Sequence, residues 1–144
     1  MYEEVENDIF THFTKALDDE KIVSYEDFYS FIVDYLLEDK NMGKMVLQSM
    51  NQNGRLFIKL RDFFVQGCFK AWKHDGRTKR ITEELALVAH YRVSGIIGLL
   101  LQWISNDYNL NPEEIKRMIS KLDESVDTGA STLGIVKELS NASL

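Results

Sequence analysis

The stretch from Ala86 to Ser105 places the strongest constraint on how this chain can fold. It reads ALVAHYRVSGIIGLLLQWIS, and Arg92 is its one fully charged residue. A surface helix normally carries one apolar stripe and one polar face, whereas this helix is apolar on two sides. The chain's own helices can cover one side, and the other then needs a second subunit, a ligand or a central position in the fold. The first side contains Leu85, Val88, Ile96, Leu99 and Trp103, and the second contains Leu87, Tyr91, Ile97 and Leu101.

Two glycines interrupt this apolar helix. Gly95 and Gly98 lie in its interior, where each costs about 1 kcal/mol relative to alanine. Such glycines indicate that another backbone approaches closely. Membrane insertion is the rival explanation, but the uncharged run 93–106 contains 14 residues, and a membrane-spanning helix needs about 20. We therefore predict that the chain does not contact a membrane.

Composition indicates a single helical domain. The chain has 144 residues, of which 44% are hydrophobic and 28% charged, as in soluble globular proteins. Strand and hairpin signals are few. The single cysteine, Cys68, excludes an internal disulfide framework and fits a reducing cytoplasm. Met1 leads directly into acidic residues, without the pattern of a signal peptide. These features predict a cytoplasmic protein.

Charge is unevenly distributed along the chain. The net charge is −6 overall, with −9 in residues 1–40, +7 in residues 41–81 and −4 in residues 82–144. This balance argues against nucleic-acid binding by the chain unaided. The basic residues of 70–80 could meet DNA phosphate or an acidic partner, but we favour a solvated loop. They are Lys70, Lys73, Arg77, Lys79 and Arg80.

Apolar periodicity and helix-start signals predict an all-α fold of about six helices. Thr82, followed by two glutamates, is the expected start of the central helix. Asn111 followed by Pro112 and two glutamates is a strong start signal for the next helix. We expect a helical domain at 1–122 and a Ser/Thr/Gly-rich extension at 123–144, with a possible short helix at 133–139. The predicted helices are 2–17, 24–37 with Ser24 as N-cap, 41–50, 55–72, 82–105 and 112–122, with a turn at 51–54.

The order of features in 91–104, followed by Asn111-Pro112-Glu113-Glu114-Ile115, resembles the C-terminal ligand-binding and dimerisation domain of TetR-type transcription regulators. The similarity is greatest to the subgroup of dihydroxyacetone-kinase operon regulators, and it extends over roughly residues 2–122. The resemblance implies the regulatory part of a bacterial transcription regulator. That family begins with a helix-turn-helix DNA reader, which this chain lacks. Either the chain is truncated or it has lost its reader, so DNA contact is expected only through that missing part.

The resemblance also implies a homodimer, in which the last two long helices pair with their two-fold mates as a four-helix bundle. The alternative is that the apolar helix is simply the buried centre of a monomer. The expected interface residues are Gly95, Gly98, Leu99, Gln102, Trp103, Ile115, Met118, Ile119 and Leu122.

A small apolar or amphipathic effector is the second expected partner. Its cavity would lie between the second, fourth and central helices, because effector sites are mostly apolar with a few polar groups. Residue by residue, the simpler interpretation is plain core for the aromatics, and a core or surface role for His90. Cys68 fits a small buried hydrophobe better than a redox sensor. The candidate ligand residues are Phe28, Phe31, Tyr35, Phe64, Cys68, Trp72, His90, Tyr91 and Ser94.

Catalytic and metal-binding patterns are missing from the sequence. The three histidines, His12, His74 and His90, have no helical partner at metal-ligand spacing. No nucleophile elbow or phosphate-cradling loop is present. We therefore predict no enzymatic activity, no metal and no cofactor. The alternative to an effector-sensing regulator is a helical protein-interaction module that uses the same apolar surface without a ligand.

Overall fold

The computed structural model describes residues 25–53 and 55–136, together with the isolated positions Thr11 and Lys15. Apart from Thr11 and Lys15, which are helical, the predicted helix 2–17 lies outside the described residues, as does the predicted N-cap Ser24. Five α-helices and no strand occupy the described ranges, which confirms the all-α prediction. They are α1 (Tyr25–Glu38), α2 (Lys40–Asn53), α3 (Arg55–His74), α4 (Glu83–Ser105) and α5 (Pro112–Thr132).

The last two helices begin where their capping residues predict. The Thr82 side chain accepts a hydrogen bond from the Leu85 amide at 3.1 Å. The Asn111 side chain accepts one from the Glu113 amide at 2.8 Å. Each cap satisfies one of the amides that a helix start leaves without an intrahelical partner. The acidic residues in both first turns also face the positive end of the helix dipole.

Helix α4 is the centre of the bundle. It packs against α2, α3 and α5, and α1 contacts the same three helices. Leu85, Ala89 and Val93 on α4 are completely buried. The core around them is formed by apolar residues of all five helices, including Val33, Val46, Cys68 and Ile119. This central position accounts for one of the two apolar sides of the helix.

The C-terminal part of α5 differs from the prediction. The helix continues to Thr132 instead of ending near 122, so residues 123–132 belong to the bundle and not to an extension. Residues 133–136 are not helical, and the predicted short helix is wrong there. Gly134, with φ of 76°, ends α5, and the Ile135 amide donates to the Ala130 carbonyl at 2.9 Å. The rest of that prediction, 137–139, lies outside the described residues.

The end of α2 also differs from the prediction. Three of the four residues predicted as a turn at 51–54 are helical, and α2 ends at Asn53.

Helix α4 has the length and composition of a membrane-crossing helix, although a soluble core helix meets the same criterion. Only 39% of its most apolar stretch is buried within the described protein. One apolar side of α4 is therefore left without a cover.

The turn between α4 and α5 is held by side-chain contacts on both sides. Asp107 and Tyr108 adopt positive φ values of 56° and 57°. The Trp103 indole donates a hydrogen bond to the Leu110 carbonyl at 2.9 Å, and its ring meets that of Tyr108 edge-on at 5.0 Å. Lys44 on α2 pairs with Asp107 at 2.9 Å. These contacts fix the position from which α5 starts back along α4.

Candidate functional site

The uncovered side of α4 faces an open groove that α4 forms with α5. This α4–α5 groove has a volume of about 900 Å³ and is lined mainly by apolar side chains. Its edges carry large apolar residues that are unusually exposed: Leu87 at 66%, Tyr91 at 76%, Leu122 at 57% and Leu133 at 74%. A contiguous apolar surface of this kind on a folded domain marks an interaction site.

Glycines keep the middle of this surface open. A Cβ added at Gly95, Gly98 or Gly129 would meet nothing within 4 Å. A Cβ at Gly67 would instead lie 3.2 Å from the Phe28 ring, and one at Gly43 would overlap the Tyr108 hydroxyl. Packing inside the domain therefore explains Gly43 and Gly67. It does not explain the three glycines of the exposed surface.

A buried ion network lies beneath the groove. Arg92 of α4 is 5% exposed and Asp123 of α5 is 6% exposed, and they are the buried charged residues of the described chain. The Arg92 Nε donates to Asp123 Oδ1 at 3.1 Å, and its Nη1 donates to Asp127 Oδ1 at 2.8 Å. Arg77, in the loop after α3, lies 3.6 Å from Asp127 Oδ2. The Arg92 guanidinium also stands over the Trp72 ring at 5.7 Å.

Burial affects the two partners of this network differently. Burial opposes the charge on Arg92, but the neighbouring Cys68, Asp123 and Asp127 raise the pKa of its guanidinium overall. Burial raises the pKa of the Asp123 carboxyl, and the attraction of Arg92 offsets this only in part. Asp123 Oδ2 is buried and accepts no hydrogen bond from the described residues. Arg92 therefore stays charged, while Asp123 holds its charge at a cost.

Comparison with known families identifies the family of the chain. Residues 24–124 match a TetR-type family described as "Transcriptional regulator C-terminal region". The chain belongs to this family. The match spans α1 to α4 and the first half of α5, and thus includes most of the groove. No curated protein and no solved structure matches the chain.

The residues predicted for the dimer interface of this TetR-type domain fall into two groups. Gly95, Gly98, Gln102 and Leu122 are exposed, Met118 is 36% exposed and Leu99 is half-buried, so all six are accessible on the α4 and α5 surface. Trp103, Ile115 and Ile119 are at most 3% exposed. Their side chains pack in the core of the domain because they face the inner side of each helix. The structure therefore removes these three from the expected interface.

The nine predicted ligand residues do not form one cavity. Phe28, Phe64, Cys68 and Trp72 are buried in the core, where Phe28 and Phe64 meet edge-on at 5.2 Å. Phe31 and Tyr35 are half-buried and stacked at 6.4 Å. His90 is half-buried as well. Tyr91 and Ser94 lie instead on the exposed side of α4 and line the α4–α5 groove.

Sequence reasoning missed several residues of the site. The spacing predicts Leu87 on an apolar side of the helix but not in the interface, and the composition predicts Gly129 and Leu133 in an extension. Asp123 and Asp127 carried a usable signal. Two acids at i and i+4, continuing the Ile115 to Ile119 stripe, can face a single buried base.

Other candidate chemistry has little structural support in the described residues. No group of three potential metal ligands comes together there, and His12 lies outside that part of the chain. In the basic block, Arg77 pairs with Asp127, whereas Lys70, Lys73, Lys79 and Arg80 are exposed. The block is therefore split between the buried network and the solvated surface.

Proposed function

We propose that this TetR-type domain dimerises a transcription regulator through the α4–α5 surface, and that it couples an effector to the dimer. DNA is read in such regulators by a helix-turn-helix, and the family region that this chain matches is the C-terminal one. The described residues supply the regulatory part. The subgroup of dihydroxyacetone-kinase operon regulators is the specific affiliation we propose.

One observation carries the dimer proposal. Gly95 and Gly98 lie on the exposed side of α4, where an added Cβ would meet nothing within 4 Å. Each glycine costs about 1 kcal/mol of helix stability relative to alanine. A second α4 that crosses here would gain a close approach that a larger side chain prevents. The free space at these positions therefore supports a contact with another backbone.

The surrounding surface supports the same contact. Large apolar side chains are exposed on the same surface, namely Leu87 and Tyr91 on α4, Leu122 on α5 and Leu133 at the C-cap of α5. Neither a lysine nor a glutamate lines the α4–α5 groove. Two copies related by a two-fold axis would set each apolar edge against the open middle of the other copy. Burial of these side chains would supply the driving force for association.

The effector half of the proposal rests on family membership. The aromatic residues of α1 and α3 are already packed against one another, so an effector would enter beside the half-buried Phe31 and Tyr35. An effector that binds the folded state raises its melting temperature. We expect such a rise in a thermal-shift screen of small amphipathic compounds. Phe31→Ala should abolish the shift while leaving the unliganded protein folded.

Sedimentation velocity tests the dimer directly. We expect a dimer at micromolar concentration and a monomer, or a large shift toward it, for Gly98→Leu, because overpacking costs about 1–3 kcal/mol. The matched control is Gln66→Leu, which places the same side chain on an exposed position of α3. Helical content should be equal in all three proteins. A wild-type monomer at tens of micromolar protein would contradict the proposal.

The competing function is an interaction module that presents this surface to a different protein. It predicts a monomer at every concentration tested. It also predicts that Gly98→Ala only stabilises the domain, by about 1 kcal/mol, since alanine is the better helix former. In the dimer, the same change would raise the dissociation constant.

A further inference from the structure

We infer that Arg92 is a positioning residue that docks the second half of α5 onto α4 and thereby completes the dimer surface. This inference rests on the dimerisation proposed above. It assigns the position of a specific part of that surface to the ion network that Arg92 forms with Asp123 and Asp127.

Helix α5 changes character halfway along its length. Its first half is anchored by Ile115 and Ile119, which are 3% and 1% exposed. From residue 123 to the end of the helix, the buried residues are Asp123 and Ala130. Ala130 offers little apolar area. Within this half of the helix, the carboxylates of Asp123 and Asp127 therefore supply the main polar attachment to α4, and Val136, which is 5% exposed, anchors the chain after the helix end.

Arg92 is suited to hold both carboxylates at once. Its Nε and Nη1 groups donate to Asp123 and Asp127, which are one helical turn apart on α5. The planar guanidinium fixes the two acceptors in space, whereas a lysine ammonium is a point charge without that geometry. The guanidinium lies over the Trp72 ring at 5.7 Å, and Arg77 Nη1 lies 3.6 Å from the second oxygen of Asp127. Arg92 thus sets the position of α5 along α4.

The docked half of α5 carries part of the proposed interface. Val126 and Gly129 on this half, and Leu133 at its C-cap, line the α4–α5 groove together with Leu87 and Tyr91 of α4. If residues 123–132 detach or slide, the groove loses one wall while the α4 glycines stay in place. Loss of the two hydrogen bonds from Arg92 to Asp123 and Asp127 should therefore reduce the affinity of the dimer more than it reduces the stability of the domain.

Arg92→Lys tests this inference because it keeps the charge and removes the two-pronged donor. The matched control is Arg117→Lys. Arg117 also uses two nitrogens, on Glu114, but on the exposed outer side of α5. Asp127→Asn serves as a second variant, since it keeps the size of the side chain and removes the charge that faces Arg92 and Arg77. Hydrogen exchange, sedimentation and circular dichroism are measured on each full chain.

We expect Arg92→Lys and Asp127→Asn to speed amide exchange at 124–132 by about tenfold or more, with little change at 113–121 or in α3. The dimer dissociation constant should rise by about tenfold or more, at temperatures where helical content matches the wild type. Arg117→Lys should change neither quantity. Exchange that rises equally in all helices, or a dissociation constant that stays at the wild-type value, would overturn the inference. A monomeric wild type would instead refute the dimer proposal, while the exchange profile would still decide whether Arg92 docks α5.

Discussion

The Tyr108 hydroxyl donates a hydrogen bond to the Lys40 carbonyl at 3.0 Å, directly over Gly43. Tyr108 belongs to the turn between α4 and α5, and Lys40 begins α2. This bond ties the turn to a helix that is distant in sequence. It also occupies the space that a side chain at position 43 would need.

Gly43→Ala should therefore destabilise the domain. Overlap with the Tyr108 hydroxyl is expected to lower the free energy of unfolding by about 1–3 kcal/mol, against a gain of about 1 kcal/mol from helix propensity. Urea unfolding of the single variants and of Gly43→Ala with Tyr108→Phe measures the coupling. Removing the hydroxyl should restore most of the loss caused by alanine. Equal effects of Gly43→Ala in both backgrounds would show that the overlap is not its cause.

Tryptophan fluorescence should not report on dimer dissociation. The chain has two tryptophans, and both Trp72 and Trp103 are 3% exposed within a single copy of the domain. Separation of the copies would leave both indoles buried. The emission maximum is expected to stay constant over a dilution series that sedimentation shows to span the dissociation. A red shift that follows dissociation would restore Trp103 to the interface.

The buried Asp123 should give the stability of the domain a characteristic pH dependence. Burial raises the pKa of this carboxyl in the folded state above its unfolded value near 3.8. The folded state then binds the proton more tightly, so its stability rises as the pH falls from neutral through the folded pKa toward the unfolded one. Asp123→Asn should abolish this rise. The measurement is the free energy of unfolding against pH at a fixed protein concentration.

Glu114 provides a control of opposite sign. Its hydrogen bond with Arg117 lowers the pKa of the Glu114 carboxyl. That contribution to stability is present at neutral pH and is lost as the pH falls through the lowered pKa. Glu114→Gln should therefore remove a loss of stability at acidic pH, whereas Asp123→Asn should remove a gain of stability. If both substitutions changed the pH profile of stability in the same direction, the raised pKa of Asp123 would be contradicted.

Helix positions followed from local signals in the sequence. The caps Thr82 and Asn111 fixed the starts of α4 and α5, because a side-chain acceptor at a helix start works over three residues or fewer. The end of α5 could not be read in the same way. Residues 123–132 have a polar, small-residue composition, and their helix is stabilised by Arg92, which lies more than 30 residues away in the chain. Tertiary contacts here override local composition.

The candidate site was predicted in outline and revised in detail. The two apolar sides of the central helix and its exposed glycines could be read from spacing alone. Which face of α4 points inward could not be predicted from the sequence, since both sides are apolar and only packing against the neighbouring helices decides between them. For this reason the sequence predicts Trp103 in the interface, whereas its side chain packs inward. Tyr91 and Ser94 were grouped with core aromatics that lie elsewhere.

The buried arginine bears on how the domain can be shortened. A fragment ending at residue 122, where composition alone suggests a boundary, would delete Asp123 and Asp127, the two carboxylates that pair with the Arg92 guanidinium. Removing one partner of a buried ion pair costs about 3–5 kcal/mol, which is a large part of the stability of a small domain. The matched family region ends at residue 124 and retains only the first of the two acids. A fragment expressed as this domain should therefore extend at least through Thr132.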